Sequence, residues 1–202
     1  MTKIDLFKLN KSDYIAAKSP VLIDIKEAIY LVINGKGAPG KEAFNDAVSA
    51  LYAMAYTIKM TRKKQNKGDY VICKLEARYW SESALPLNQI AQEQWKWQLM
   101  IRTPEHVENT DIDQAAQALL SKGKTASVGN VSLGKHHFGP CIQMLHIGAF
   151  EEETRTIDQM YTFAATQKLS PSGEHCEIYI SDPRRVPPER LKTILRSPIT
   201  PT

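Results

Sequence analysis

A short internal repeat limits the folds open to this chain. A hydrophobic run that ends in Arg, then Thr or Ser, then Pro occurs twice, as LMIRTP at 99–104 and as TILRSP at 193–198. Each run follows a strand-like segment that contains a glutamate, VICKLEARYW at 71–80 and HCEIYIS at 175–181. Because a repeated supersecondary unit repeats its fold, we expect both halves to share one arrangement of helices and strands.

An amphipathic helix precedes each of these strand-like segments. Apolar residues recur at helical spacing across 42–60 in the first half and across 151–168 in the second. An apolar strand precedes each helix, at 27–34 and at 142–148. The pattern therefore predicts strand, helix, strand, strand in each half, with residues 1–20 as an N-terminal arm.

The repeat accounts for the whole chain of 202 residues as a single domain. We expect repeat one at about 21–104, a connection with one helix at about 105–140, and repeat two at about 141–202. Two β-α-β-β units related by a pseudo-twofold axis would join into one antiparallel sheet with helices on one face, an α+β fold. We expect the other face to carry a ligand groove.

Composition and charge exclude several classes of protein. The chain is 43% hydrophobic and 24% charged, as in ordinary soluble globular proteins. No apolar run approaches the ~20 residues of a membrane span, and the N-terminus has no signal-peptide core, so we expect a cytoplasmic protein. The net charge of +4 is a mild bias, and the basic residues at 59–67 suit the end of a solvated helix better than a nucleic-acid surface.

The cysteines and histidines do not predict a metal or cofactor. Three widely spaced cysteines match neither a disulfide framework nor a zinc site. Histidines at 136, 137 and 146 follow no metal-ligand spacing, and the acidic run at 151–153 suits the N-terminus of a helix. We therefore expect neither metal nor cofactor.

Strand alternation sorts side chains onto two faces and suggests a site. Placing the apolar positions under the helices leaves Glu76 and Trp80 for the groove face in the first repeat. The same rule leaves Glu177 and Tyr179 in the second, and Trp95 and Trp97 share a face with each other. We therefore expect the three tryptophans and both glutamates to line one surface, with the two carboxyls facing each other.

Such a surface allows two kinds of chemistry. A carboxyl walled by aromatic rings loses solvation, so its pKa rises and it can exchange protons near neutral pH. An ionised carboxylate among aromatic rings can instead hold a flat or cationic lipophilic ligand. A plainer alternative is a solvated strand glutamate paired with a basic residue such as Lys74 or Arg78.

The chain resembles, nearly end to end, the stand-alone GyrI-like small-molecule-binding proteins of bacteria. The resemblance rests on INGKGAPG, FNDAVSALYAMAYTIKM, KLEARYW, WKWQLMIRTPEHV, MLHIGAFEEETRTIDQM and HCEIYISDPRRVPPERLKTILRSPI. It implies tandem SHS2-type repeats and a ligand site between them with Glu177 at its centre. The candidate ligand contacts are Trp80, Trp95, Trp97, His146 and Phe150.

The resemblance implies two alternative functions. Free-standing relatives include hydrolases that open the cyclopropane of DNA-alkylating agents of the duocarmycin and yatakemycin kind. In such an enzyme Glu177 would be the general base that activates water, with Tyr179 as a hydrogen-bonding partner. Glu76 would be the second carboxyl of the site. The alternative is a non-catalytic sensor or sequestering protein for lipophilic or cationic drugs. In either case we expect a monomer or weak dimer that binds small aromatic molecules and neither nucleic acid nor membrane.

Overall fold

The computed structural model describes residues 3–83 and 87–202, and within them it contains four α-helices and nine β-strands. The helices are α1 (Leu6–Leu9), α2 (Glu42–Lys64), α3 (Asn109–Leu120) and α4 (Glu153–Thr166). The strands are β1 (Val21–Ile25), β2 (Ala28–Lys36), β3 (Leu75–Trp80), β4 (Lys96–Arg102), β5 (Ser132–His136), β6 (Gly139–Ile147), β7 (Leu169–Pro171), β8 (His175–Tyr179) and β9 (Lys192–Pro201).

The strands form one antiparallel sheet in the order β1-β6-β9-β8-β3-β4-β2-β5, and β7 pairs with β9 outside this path. The first repeat supplies β2, α2, β3 and β4, and the second supplies β6, α4, β8 and β9. Strands β3 and β8 pair at the centre, and the two halves run outward from them in equivalent order. The predicted α+β fold built from two β-α-β-β units is thereby confirmed.

Two strands that the repeat did not predict, β1 and β5, join the edges of the sheet. The pairing of β1 with β6 and the pairing of β2 with β5 share one register. Strands β1 and β2 therefore act as one bent strand, which pairs along its length with a second one made of β5 and β6 to form one ribbon. Only residues 26–27 and 137–138 connect the two ends of this ribbon. Six strand spacings of about 4.8 Å separate β1 from β2 in a flat sheet, whereas two extended residues span only about 7 Å. The sheet must therefore curl strongly.

The two long helices lie on one face of the sheet, and neither packs chiefly on its central strands, β3 and β8. Helix α2 packs chiefly on β2 and β4, whereas α4 packs on β6, β7 and β9. The α2 residues Phe44, Leu51 and Met54 belong to the main core, and its apolar stripe is in the predicted position. We call the strip over β3 and β8, between α2 and α4, the central groove.

The N-terminal arm covers the opposite face, which the sequence led us to expect as the ligand groove. Asp13 forms an ion pair with Arg102 (2.7 Å), and its carbonyl accepts a hydrogen bond from the Arg196 guanidinium. The Tyr14 hydroxyl donates to Glu76 Oε1 at 2.9 Å, and the backbone of Leu145 donates to the carbonyl of residue 17. Because the arm is anchored to both repeats, it shields the central strands from solvent on this side.

Candidate functional site

Glu177 lies on the helix-bearing face, at the floor of the central groove. Residues directly opposite each other in an antiparallel sheet point to the same side. A single cross-strand row runs through Leu99, Ala77, Glu177, Leu195 and Met144. Leu99 belongs to the core beneath α2, and Met144 belongs to the core beneath α4. Glu177 is therefore a carboxylate in the middle of an otherwise apolar row, between the two helices.

Glu76 lies on the other face, so the expectation that it faces Glu177 is wrong. The register pairs Glu76 with Ile178, and Glu177 with Ala77. Under the arm, burial raises the pKa of Glu76, while Arg196, the Tyr14 hydroxyl and Arg102 act in the opposite direction. The second carboxyl expected at the site is therefore part of the contact between sheet and arm.

The plainer alternative of a solvated, ion-paired strand glutamate does not describe Glu177. Its side chain is buried, with 9% of the residue exposed. The Lys74 ammonium donates to the carbonyl of Ile180, and Arg78 pairs with Glu174 on the opposite face. Among the described residues, no lysine or arginine forms an ion pair with Glu177.

Two tyrosines form a hydrogen-bonded chain that ends on Glu177. The Tyr179 hydroxyl donates to Glu177 Oε2 at 2.7 Å, and the Tyr79 hydroxyl lies 2.6 Å from that of Tyr179. Since the Tyr179 proton is engaged with the carboxylate, Tyr79 is the donor to Tyr179. Burial, followed by the negative charge of Glu177, raises the pKa of both phenols, so both stay protonated at neutral pH. Tyr179 is therefore in hydrogen-bonding contact with Glu177, and its role in catalysis stays a prediction.

Two aromatic residues extend this chain towards the walls of the groove. The Trp95 ring meets Tyr79 edge-on, with centroids 5.7 Å apart, and its indole nitrogen donates to the carbonyl of Ile90. The Phe150 ring meets Tyr179 edge-on at 5.9 Å and is 38% exposed. These contacts are of the kind that aromatic pairs prefer. Trp95 and Phe150 therefore border the central groove, although this groove lies on the helix-bearing face and not on the face that the sequence led us to expect.

The other three predicted contacts do not open onto the groove in the same way. Trp97 is buried beneath α2 against Phe44, where only a glycine at its cross-strand neighbour, Gly35, leaves room for the indole. Trp80 shares the face of Glu76, opposite the groove. His146 is 1% exposed, and its ring nitrogens bond to the Thr156 hydroxyl and the Ala149 carbonyl. His146 therefore fixes the segment that carries Phe150.

Sequence reasoning missed two residues beside Glu177. His175 Nε2 lies 3.6 Å from Glu177 Oε1, and neither ring nitrogen of His175 has a hydrogen-bond partner in the described chain. Glu153 on α4 is 7% exposed, and burial together with the charge of Glu177 raises its pKa well above the usual carboxyl range. The sequence pattern could have indicated Glu153, because it lies at helical spacing on the same stripe of α4 as the buried residues Thr156, Met160 and Ala164.

Other features of the described chain add no second chemical centre. No group of three or more His, Cys, Asp or Glu side chains within residues 3–83 and 87–202 is arranged to hold a metal ion. None of the helices in those ranges is both long and apolar enough to cross a membrane. Two shallow surface depressions lie elsewhere, one beside the outer side of α4 and one along β1.

Comparison with known proteins gives a consistent assignment over most of the chain. The family described as "GyrI-like small molecule binding domain" matches residues 19–200. An uncharacterized conserved protein from Listeria innocua is 36% identical, with a TM-score of 0.90 over 98% of this chain and 100% of that one. Two further crystal structures from Listeria innocua, each described as a hydrolase, are 34% identical with TM-scores of 0.88 and 0.87 over 98% and 100% of the two chains. No protein of curated function matches this sequence.

Proposed function

Because the chain belongs to the GyrI-like small-molecule-binding family, we propose that it binds flat lipophilic molecules in the central groove and hydrolyses cyclopropane-bearing DNA-alkylating agents there. The observation that carries the proposal is the buried Glu177 carboxylate, oriented by Tyr179 and flanked by aromatic rings. The 34% identity to proteins described as hydrolases supports an enzyme over a purely binding protein.

The reaction needs one base and a well-placed water molecule. In these agents a strained cyclopropane is conjugated to a dienone. The water oxygen bonds to a ring carbon, the ring C–C bond breaks, and its electron pair passes into the dienone, which becomes a phenol once its oxygen takes a proton. Glu177 accepts the proton that the water loses, a contribution of typically ~10²–10⁴-fold in rate.

The protein's remaining contribution is to position the two reactants. Tyr179 occupies Glu177 Oε2, so Oε1 is the oxygen left to bind water. Trp95 and Phe150 offer ring surface to a flat substrate and, once it is bound, exclude bulk water from the carboxylate. Aromatisation of the substrate supplies much of the driving force, so no metal or cofactor enters the proposed step.

One observation favours a second candidate, the non-catalytic binding of lipophilic cations. Glu177 is buried without an ion pair to lysine or arginine in the described chain. A buried carboxylate without a counter-charge is costly. A cationic aromatic ligand would supply that charge and stack on the groove walls. Both candidates use the same groove and differ in whether product is released.

Turnover of a cyclopropane-bearing alkylator distinguishes them. We expect wild-type protein to remove the dienone chromophore catalytically, and Glu177→Gln to bind the agent while losing at least about 100-fold in kcat. Glu76→Gln is the matched control, because it changes a buried strand glutamate on the opposite face. Tight stoichiometric binding without product would contradict hydrolysis, and full activity in Glu177→Gln would refute the role of the base.

A further inference from the structure

We infer that Glu153 is a positioning residue for this site, a protonated carboxyl that donates a hydrogen bond to Glu177 so that the two carboxyls hold one proton between them. The sequence places Glu153 in an acidic run whose ordinary role is to stabilise a helix N-terminus. This inference rests on the proposed function, in which Glu177 is the working group, and it assigns a second carboxyl in place of Glu76.

The burial pattern at the start of α4 separates Glu153 from its neighbours. Glu151 and Glu152 are exposed, as expected for charges that act on a helix terminus. Glu153 begins the helix on its inward side and is 7% exposed. Phe150, just before this turn, contacts Tyr179, and Thr156, at its end, bonds to His146. Because His146, Thr193 and Tyr179 form one cross-strand row next to the row of Glu177, the Glu153 carboxyl lies at the groove beside Glu177.

The surroundings of Glu153 provide no positive partner for an ionised carboxylate. No lysine or arginine of the described chain pairs with it, and its Oε1 is buried without a hydrogen-bond partner among the described residues. Two buried carboxylates at such short range cannot both be charged, so one keeps its proton. Burial and the charge of Glu177 raise the pKa of Glu153, partly offset by the Thr193 hydroxyl. Glu153 is therefore the proton holder.

The groups facing Glu153 define what else could titrate with it. They are Glu177 on β8, Tyr79 on β3 and Glu151 in the turn before α4. Strand β6 presents His146, whose two nitrogens are already bonded, and β9 presents the uncharged Thr193. A change in turnover at alkaline pH is therefore assigned to titration of the two carboxyls, because burial keeps the tyrosines protonated.

The pairing predicts how the site responds to pH. Above its raised pKa, Glu153 loses its proton, its hydrogen bond to Glu177 is lost, and two negative charges then face each other. Turnover should therefore fall on the alkaline side in wild type. Glu153→Gln keeps an N–H donor that does not titrate, so it should remove this alkaline limb from the pH profile of kcat. Glu153→Ala should lower kcat at every pH by about tenfold or more, as expected for losing a hydrogen bond to a charged group.

The test uses the full chain and combines the pH profile of alkylator turnover with ¹³C NMR of the glutamate carboxyl carbons. We expect a carboxyl resonance that stays protonated through neutral pH, titrates on the alkaline side, disappears in Glu153→Gln and persists in the control Glu152→Gln. Because Glu76 also has a raised pKa, Glu76→Gln identifies its resonance separately. A wild-type spectrum in which Glu153 is ionised at pH 7 would overturn the inference.

Two outcomes separate this inference from the proposed reaction. If no alkylator is consumed but the Glu153 resonance behaves as expected, hydrolysis fails and the carboxyl pair stands. If turnover occurs and Glu153→Gln keeps the alkaline limb, the pair is wrong and hydrolysis stands. Should Glu153→Gln fail to fold, Glu177→Gln replaces it in the NMR measurement. Removing the neighbouring charge should lower the pH at which Glu153 titrates, and an unchanged titration would refute the pairing.

Discussion

At the scale of single residues, the site depends on the hydrogen bonds that converge on Glu177. Tyr179 bonds to it directly, whereas Tyr79 is 1% exposed and acts through Tyr179. Hydrogen bonds to charged groups are worth about 1.5–3 kcal/mol, against about 0.5–1.5 kcal/mol between neutral groups. The contribution of each phenol should therefore decrease with its distance from the carboxylate.

This order gives a prediction for the two tyrosine-to-phenylalanine variants. Tyr179→Phe removes the bond to Glu177, so kcat should fall by about tenfold or more. Tyr79→Phe removes only the bond between the phenols, so kcat should fall by severalfold at most. Steady-state kinetics with folded protein, checked by circular dichroism, measure both effects. A larger loss in Tyr79→Phe than in Tyr179→Phe would contradict the proposed chain.

At the scale of elements, the arm and α4 determine which charged groups are buried on each face of the sheet. Arg102 and Arg196 occupy equivalent places in the repeated stretches, and both bind Asp13 of the arm. The arm thereby uses the repeat symmetry of the sheet to cover the face of Glu76. On the other face, the first turn of α4 brings Glu153 to the groove. The helix face is thus the one on which we propose that the ligand binds.

The contact between arm and sheet is testable through stability. Tyr14→Phe leaves buried Glu76 Oε1 without its donor, so the free energy of unfolding should drop by about 1–3 kcal/mol. Alkylator binding should not change, since Tyr14 lies on the opposite face. Urea denaturation measures the loss. Tyr56→Phe, at a residue 55% exposed on α2, is the control and should stay within about 0.5 kcal/mol of wild type.

At the scale of the whole molecule, two buried carboxyls with raised pKa values link stability to pH. Glu76 lies under the arm and Glu153 lies under α4, so the two faces contribute separately. Each group binds its proton more tightly when folded than when unfolded. Its stabilising effect is complete below the ordinary carboxyl pKa and is lost as the pH rises through the raised value in the folded protein.

We therefore expect the unfolding free energy of wild type to decrease with pH by more than that of Glu76→Gln. The variant replaces a titrating group with a neutral one of similar shape, so the difference between the two proteins should change with pH in its favour. Urea midpoints measured at pH 5, 7 and 9 give this difference. A difference that is constant with pH would mean that Glu76 is ionised in the folded state throughout.

The sequence by itself determined the elements and their order, because hydrophobic periodicity is a local property of each segment. The repeat gave the two β-α-β-β units, and the position of the α2 stripe agreed with the structure. Alternation also showed that Glu177 and Tyr179 share a face. The hydrophobic pattern did not predict the two edge strands β1 and β5, because they are short and are defined by their pairing with β6 and β2.

Only the tertiary structure decided which face each strand presents to the helices. The alternation of side chains along β3 or β8 is the same in either pairing register. A register shift of one residue nevertheless turns every side chain of one strand to the opposite face of the sheet. The register that pairs Ala77 with Glu177 therefore separated Glu177 from Glu76. The docking of α4 then supplied Glu153 as its neighbour instead. Local patterns fix what a segment can form, whereas contacts between segments far apart in sequence fix which charges meet.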